Sequence, residues 1–307
     1  LTFDVFVAGN LVLDQLLWPV DKIRWDATVW AERFTRSLGG NGANTSYTLA
    51  RMGAKTALAG AVGEDPEGAD LLAILSSAGV NVSHIQRVTA PTPATVALVR
   101  RNSSRAFIHR PGASKIALAQ PLAMLPARHF HLANPFGVPA LRTLSPQNFA
   151  AAKAAGMTTS MDTGWDSRGE WGRVVLPCAP HVDLLFCNAE EARLLTGKSK
   201  ALEALQALHS AGIRYVILKR GKRGALASGP GFTAKIPGFR VDAIDSTGAG
   251  DVFSGAFLAG WLRGMTITEA TRFANAAAAL SVTELGSIAG VCTYEETLAW
   301  MRKQNSA

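Results

Sequence analysis

Three stretches of this chain place glycines, amides and carboxylates where they could handle an anion and a hydroxyl together. The first is Asp245-Ser246-Thr247-Gly248-Ala249-Gly250-Asp251, between a short apolar strand and an alanine-rich helix. Its glycines remove side chains where the chain turns, so backbone can approach a ligand closely. The helix that follows starts with amides that have no partner in their own ladder, and such an end attracts anions. Asp251 puts a carboxylate at the same place. Negative charge beside an anion site has a use if the anion is under attack, because it can take the proton of the attacking hydroxyl. The plainer alternative is an Asp that caps its own helix.

The second stretch, Leu38-Gly39-Gly40-Asn41-Gly42-Ala43-Asn44, is another Gly-rich turn opening a helix, closed by Gly53. The third is Asn188-Ala189-Glu190-Glu191. Its Asn and Glu lie three residues apart, a spacing that puts both on one helix face. An Asn cap with Glu in the first turn explains that pair equally well.

The elements that must position these residues alternate between strand and helix. Strands are expected over 4–8, 56–62, 129–132, 158–161, 183–187, 215–218 and 225–228. Helices are expected after Asp65-Pro66 and over 140–155, 189–195, 201–211, 250–263, 267–284 and 294–302. Such alternation implies a mostly parallel sheet with helices on both faces, a three-layer α/β/α sandwich. In such sheets ligands bind beyond the carboxyl ends of the strands. Residues 95–99 and 106–109 read as a hairpin around Asn102-Ser103-Ser104. With short strands from 11–38 they would build a small sheet outside the core, a lid from about 11–38 and 87–112 on a single domain spanning 1–307.

The net charge of +8 raises the question of nucleic acid. The basic residues are scattered, and the densest clusters, Arg100-Arg101 and Lys219-Arg220 with Lys222-Arg223, carry no aromatic interleaving. No nucleic acid is therefore expected, and a small polyanion such as a nucleotide is. No apolar run reaches the roughly 18 residues of a membrane span. The three cysteines form neither a metal-spaced set nor a disulfide framework, so a reducing cytoplasm is the expected home.

Taken in this order and spacing, the three stretches resemble the ribokinase-like (PfkB-type) carbohydrate kinase family over essentially the whole chain. The resemblance implies ATP-dependent phosphorylation of a hydroxymethyl group on a sugar or sugar acid. Asp251 would be the general base, and the amides of Gly248, Ala249 and Gly250 the anion hole. Asp14, Gly40, Asn41, Asn44 and Asn134 match substrate positions, and Arg110 would serve an acceptor that carries an acid or phosphate. Asn134 in Ala133-Asn134-Pro135 also reads as a turn residue, and His109 as structural. Asn188, Lys219, Gly221, Thr247 and Asn275 would meet the nucleotide, although Asn275 also suits plain helix packing. Glu191 would organise Mg²⁺, mostly through water. A monovalent cation, K⁺, would draw on Asp245, Thr247 and the loop 281–290, including Ser281, Glu284 and Gly286.

Departures from the family pattern blur the acceptor. Val12 and Asn41 stand where ribokinases have Asn and Lys, and Gly290 where they often have a hydroxyl, which puts K⁺ in doubt, although backbone oxygens could still serve. Lys219 replaces a common Thr and resembles keto-deoxy sugar-acid kinases. The segment Asp162-Thr163-Gly164-Trp165-Asp166 resembles sugar kinases of unsettled specificity. The alternatives are a nucleoside kinase of the same family and a non-catalytic sugar or nucleotide sensor. Trp18, Trp25 and Trp30 could pair two lids in a homodimer.

Overall fold

The computed structural model describes residues 2–102 and 104–305. The chain starts in β1 (Phe3–Ala8), makes β2 (Val12–Trp18) and β3 (Arg33–Gly39), and turns into α1 (Asn41–Arg51). Then come β4 (Thr56–Gly63), α2 (Pro66–Ser77), β5 (Ile85–Val88), β6 (Ala94–Val99) and β7 (Arg105–Arg110). The middle third alternates as β8 (Ala127–Leu132), α3 (Leu141–Ala154), β9 (Thr158–Asp162), α4 (Trp171–Val175), β10 (Leu184–Asn188) and α5 (Ala189–Thr196). It continues through α6 (Ala201–Ser210), β11 (Tyr215–Lys219), β12 (Ala225–Gly229) and β13 (Phe232–Ile236). The last helices are α7 (Ala249–Trp261), α8 (Ile267–Ser281) and α9 (Tyr294–Asn305).

The main sheet runs β13-β12-β11-β10-β9-β8-β1-β4-β5. It is parallel from β11 to β5, and β12 and β13 close one edge antiparallel. Side chains alternate between the faces of a strand, and here each face has its own core. Val5, Val7, Leu184, Phe186 and Ile217 face one cluster, with Val252 and Phe257 of α7 and Phe273 of α8. Phe6, Ala8, Leu185, Cys187, Val216 and Leu218 face the other, with Phe149 of α3 and Leu205 of α6. Burial on both sides explains why these strands are continuously apolar. The three layers expected from the alternation are present.

The small sheet runs β3-β2-β6-β7. Its hairpin is where the sequence places it, with Val99 opposite Arg105 and Ala94 opposite Arg110. Residues 11–38 form two long strands rather than several short ones, and β2 pairs parallel with β6. Leu16, Ala97 and Val99 pack on Leu285 from the loop after α8. Trp18 joins that cluster, with the Arg101 guanidinium 5.6 Å from its ring centre. Trp25 and Trp30 are exposed. Sequence patterning does not anticipate β5, β13 or α4, and α8 ends at Ser281, short of residue 284.

Candidate active site

The carboxyl ends of β9, β10 and β11 are brought level by register: Asp162 lies opposite Phe186, and Asn188 opposite Lys219. Across from them, α7 begins at Gly248, which sits at φ +75°. A β-carbon there would lie 2.7 Å from Ser287 Cβ, so the turn needs glycine for both its angle and its space. The first bond of the helical ladder runs from Val252 N–H to Gly248 C=O at 2.9 Å, which leaves the earlier amides outside that ladder. Gly248→Ala would add about 1–2 kcal/mol of left-handed strain and push Ser287 away. We expect a lower Tm and a kcat/KM reduced by about tenfold to a hundredfold. Unchanged turnover would mean that this turn does not position the reacting groups.

Asp251 does not cap its own helix. It lies inside α7, behind the N-cap Gly248, and its carboxylate turns to α1. Asn41 Nδ2 donates to Oδ1 at 2.7 Å and Asn44 Nδ2 to Oδ2 at 2.9 Å. Those amides are themselves fixed. Asn134 Oδ1 accepts from the Phe136 and Gly137 amides, so its Nδ2 donates to Asn41 Oδ1 at 2.9 Å. Asn41 must then aim its own NH₂ at Asp251. Asn134 thus serves its turn and the network together. Asn10 Oδ1 holds the Asn41 amide at 3.1 Å, and the Ser287 hydroxyl is shared between the Leu38 carbonyl and Asn44 Oδ1. Close approach of the two helices makes this reach possible: a β-carbon on Gly255 of α7 would lie 2.9 Å from Thr48 Cβ of α1.

Burial, followed by the charge of Asp162, raises the Asp251 pKa to about 6, against the pull of the two Asn amides and Lys219. Asp14 on β2 is also buried. Burial raises its carboxyl to about 7; the Thr95 hydroxyl opposes this, and the charges of Asp251 and Asp245 add to it. His109 shares a 3.0 Å hydrogen bond with Thr95, and burial lowers its pKa. Arg110 donates to the Thr92 carbonyl at 3.0 Å, so its guanidinium braces the loop before β6.

On the other side of Gly250 is a cavity of about 770 Å³. Lys219, Gly221, Ala249, Gly250 and Asn275 all line it. Asn275 Nδ2 donates to the Pro237 carbonyl at 3.1 Å and so fixes part of the wall. Asn188 and Thr247 are not among its described lining residues. Lys219, Lys222, Arg223 and Arg240 all line the cavity, and Lys219 is the one beside Gly250. A β-carbon on Gly250 would be 3.3 Å from its Nζ, and Nζ bonds Asp162 Oδ2 at 2.6 Å. Burial pulls its ammonium down, but Asp162 and Glu191 outweigh this and hold its pKa above the usual lysine value. Ser254 of α7 also donates to Asp162 Oδ2, at 2.6 Å.

Asn188 and Glu191 form a complete capping box. Glu191 does more than cap, because its Oε2 also accepts from Thr163 Oγ1 at 2.7 Å. Burial raises its pKa, with Lys219 opposing. Among the described residues no group of three or more His, Cys, Asp or Glu could cage a metal. Mg²⁺ seldom needs a cage, since it keeps several waters and takes one or two carboxylates with substrate phosphates. The Glu191 and Asp162 carboxylates beside Lys219 fit that role.

The region expected to hold K⁺ is differently furnished. Asp245 is buried, with Oδ1 taken by the Thr247 amide and hydroxyl at 2.9 and 2.7 Å, and Oδ2 by the Gly286 amide at 3.1 Å. Ser281 Oγ donates to its own helix at Ala278, and Glu284 is exposed. A β-carbon on Gly290 would meet the Leu280 carbonyl at 2.7 Å, so no hydroxyl side chain fits there. Arg105 Nη1 lies 3.7 Å from Asp245 Oδ1. The side chains expected to hold the cation are thus already engaged with protein partners or exposed, and a guanidinium stands beside the one carboxylate among them that is buried.

Ser254, Ser287, Asn10 and Arg105 are participants that motif reading misses, and Asp162 and Thr163 lie in a segment it singles out without giving either a role. Asp162 had a signal, a carboxylate at the carboxyl end of a predicted parallel strand. Arg105 had none.

The sequence model of the pfkB family of carbohydrate kinases matches residues 5–293, and the chain belongs to that family. It is an ATP-dependent carbohydrate kinase. A ribokinase from Haemophilus influenzae is 30% identical over 317 residues, covering 96% of this chain and 97% of that one. Arabidopsis thaliana ribokinase, solved with ribose and ATP, superposes with a TM-score of 0.84 at 24% identity over 98% and 99% of the two chains. An E. coli chain solved with ATP and Mg²⁺ superposes with a TM-score of 0.86 at 22% identity over 99% and 100%. At those identities the likeness to solved structures is one of fold.

Proposed function

We propose that this chain transfers the γ-phosphoryl group of ATP to a hydroxymethyl group of a sugar or sugar acid. The observation that carries the reading is the Asp251 carboxylate, buried at the start of α7 and held by Asn41 and Asn44 instead of by its own helix. Two lone pairs are thereby aimed, and an incoming hydroxyl can donate to the carboxylate. The acceptor oxygen attacks the γ-phosphorus, its proton passes to Asp251, and the bond to the ADP oxygen breaks. In a loose transition state that proton leaves late, so a carboxylate suffices as base.

The amides of Gly248, Ala249 and Gly250 with the Lys219 ammonium stabilise the charge on the transferring group. Lys219, Gly221 and Asn275 meet the nucleotide in the 770 Å³ cavity; Asn188 and Thr247, which do not line it, would act on the phosphates from the capping box and the anion turn. Mg²⁺, when bound with the phosphates, would neutralise their charge, and Glu191 would hold it through water. Asp14, Gly40, Asn41, Asn44 and Asn134 form the acceptor side, and Arg110 serves an acidic acceptor. The small sheet is the lid, on one domain spanning 1–307, and its exclusion of water protects ATP from hydrolysis. The exposed Trp25 and Trp30 on this lid support a homodimer, and a monomeric mass at micromolar concentration would rule it out. Three free cysteines suit the cytoplasm proposed as its home.

The test is ADP release from ATP and Mg²⁺ across sugars, sugar acids and nucleosides. Turnover on a sugar or sugar acid is expected. Turnover on nucleosides alone would move the acceptor class. Silence, with the same compounds raising the Tm, would make the chain a sensor.

A further inference from the structure

Arg105 stands on β7 of the small sheet, yet its guanidinium reaches the loop that precedes the anion turn. Nη1 bonds the Ser246 hydroxyl and lies 3.7 Å from Asp245 Oδ1. Asp245 is fully buried, and its other recorded partners, the Thr247 amide and hydroxyl and the Gly286 amide, are neutral. A buried carboxylate needs an opposite charge as well as hydrogen bonds. Leu285, next to Gly286, packs into the inner cluster of the small sheet, so the sheet, the 281–290 loop and the anion turn meet at this point. Burial pulls the Arg105 guanidinium below its usual value and Asp245 pushes it back, and the group keeps its charge at any working pH.

We infer that Arg105 is the built-in counter-charge of Asp245, a positioning residue carried by the small sheet that fills the place a monovalent cation would take. Docking of this sheet therefore delivers a positive charge to the anion turn, and the turn reaches its working geometry only when the sheet is down. The catalytic consequence rests on the kinase reading, but the charge balance does not.

The experiment measures Tm and turnover in K⁺, Na⁺ and tetramethylammonium chloride at equal ionic strength. Wild type should be indifferent to the choice. Arg105→Met should melt lower and lose turnover by about 10²-fold. K⁺, and not tetramethylammonium, should recover part of its Tm. Adding Asp245→Asn to Arg105→Met should also recover Tm, because the unbalanced charge is gone. Three results would overturn the inference: a wild-type Tm that climbs specifically with K⁺, an Arg105→Met Tm equal to wild type, or a loss that neither K⁺ nor Asp245→Asn repairs. If Arg105→Met does not fold, the K⁺ response of wild type decides. Because the melting temperatures are read without substrate, failure of the kinase reading would leave this result standing.

Discussion

Asp251→Asn is expected to lower kcat by about 10²–10⁴-fold, the usual range for losing a positioned general base. The amide keeps the shape of the side chain but cannot take the acceptor's proton. Wild type should also show an acid limb in kcat/KM near pH 6, because burial and Asp162 raise the Asp251 pKa to about 6 and only the ionised form accepts. The stability consequence has a definite sign. The folded pKa lies above the ordinary 3.8, so the fold favours the neutral acid. That contribution is complete below about pH 4 and is lost as pH rises through 6, a change of up to about 3 kcal/mol. An amide does not titrate. The Tm of wild type relative to the variant should therefore fall between about pH 4 and pH 7. The absolute shift at pH 8 is smaller, because the substituted side chain would offer one oxygen to two amide donors, and the donor left over costs about 1–3 kcal/mol. A variant with a tenth or more of wild-type turnover, or an acid limb absent above pH 5, would falsify the assignment.

Lys219→Met should fail twice over. It removes the ammonium beside Gly250, a charge-stabilising group whose loss is expected to lower kcat/KM by about 10²–10³-fold. It also leaves Asp162 buried with the Ser254 hydroxyl and no cation, a break that costs about 3–5 kcal/mol. Pairing it with Asp162→Asn separates the two effects. The double variant should regain much of the lost Tm, since no unpaired charge remains, and should regain little turnover. Recovery of both would reduce Lys219 to a structural ion pair.

How much of this was legible beforehand depends on where each residue finds its neighbours. Gly248, Gly250 and Asp251 lie in one short stretch, and Gly40, Asn41 and Asn44 in another, so local spacing and family resemblance reach them. The alternation of apolar strands and helices likewise discloses the layers. Asp162 acquires its meaning from the register of β9 against β10 and of β10 against β11, which sets it near Lys219. Arg105 acquires its meaning from the docking of one sheet on a loop some 140 residues later, at Asp245 and Ser246. No local pattern encodes such a meeting. The strand β5 has only four residues, two of them exposed, and carries little pattern; β13 does alternate, with Phe232, Ala234 and Ile236 on one face, and was within reach of sequence reading.

The seam between α1 and α7 has a consequence for inheritance. Thr48 and Gly255 touch no ligand in the reading given above, yet they set how far Asn41 and Asn44 stand from Asp251. Widening that seam by a fraction of an ångström would loosen both amides and shift the proton affinity of the carboxylate upward. Acid tolerance in this lineage is thus open to drift at positions that a search for substrate-contacting residues would never visit.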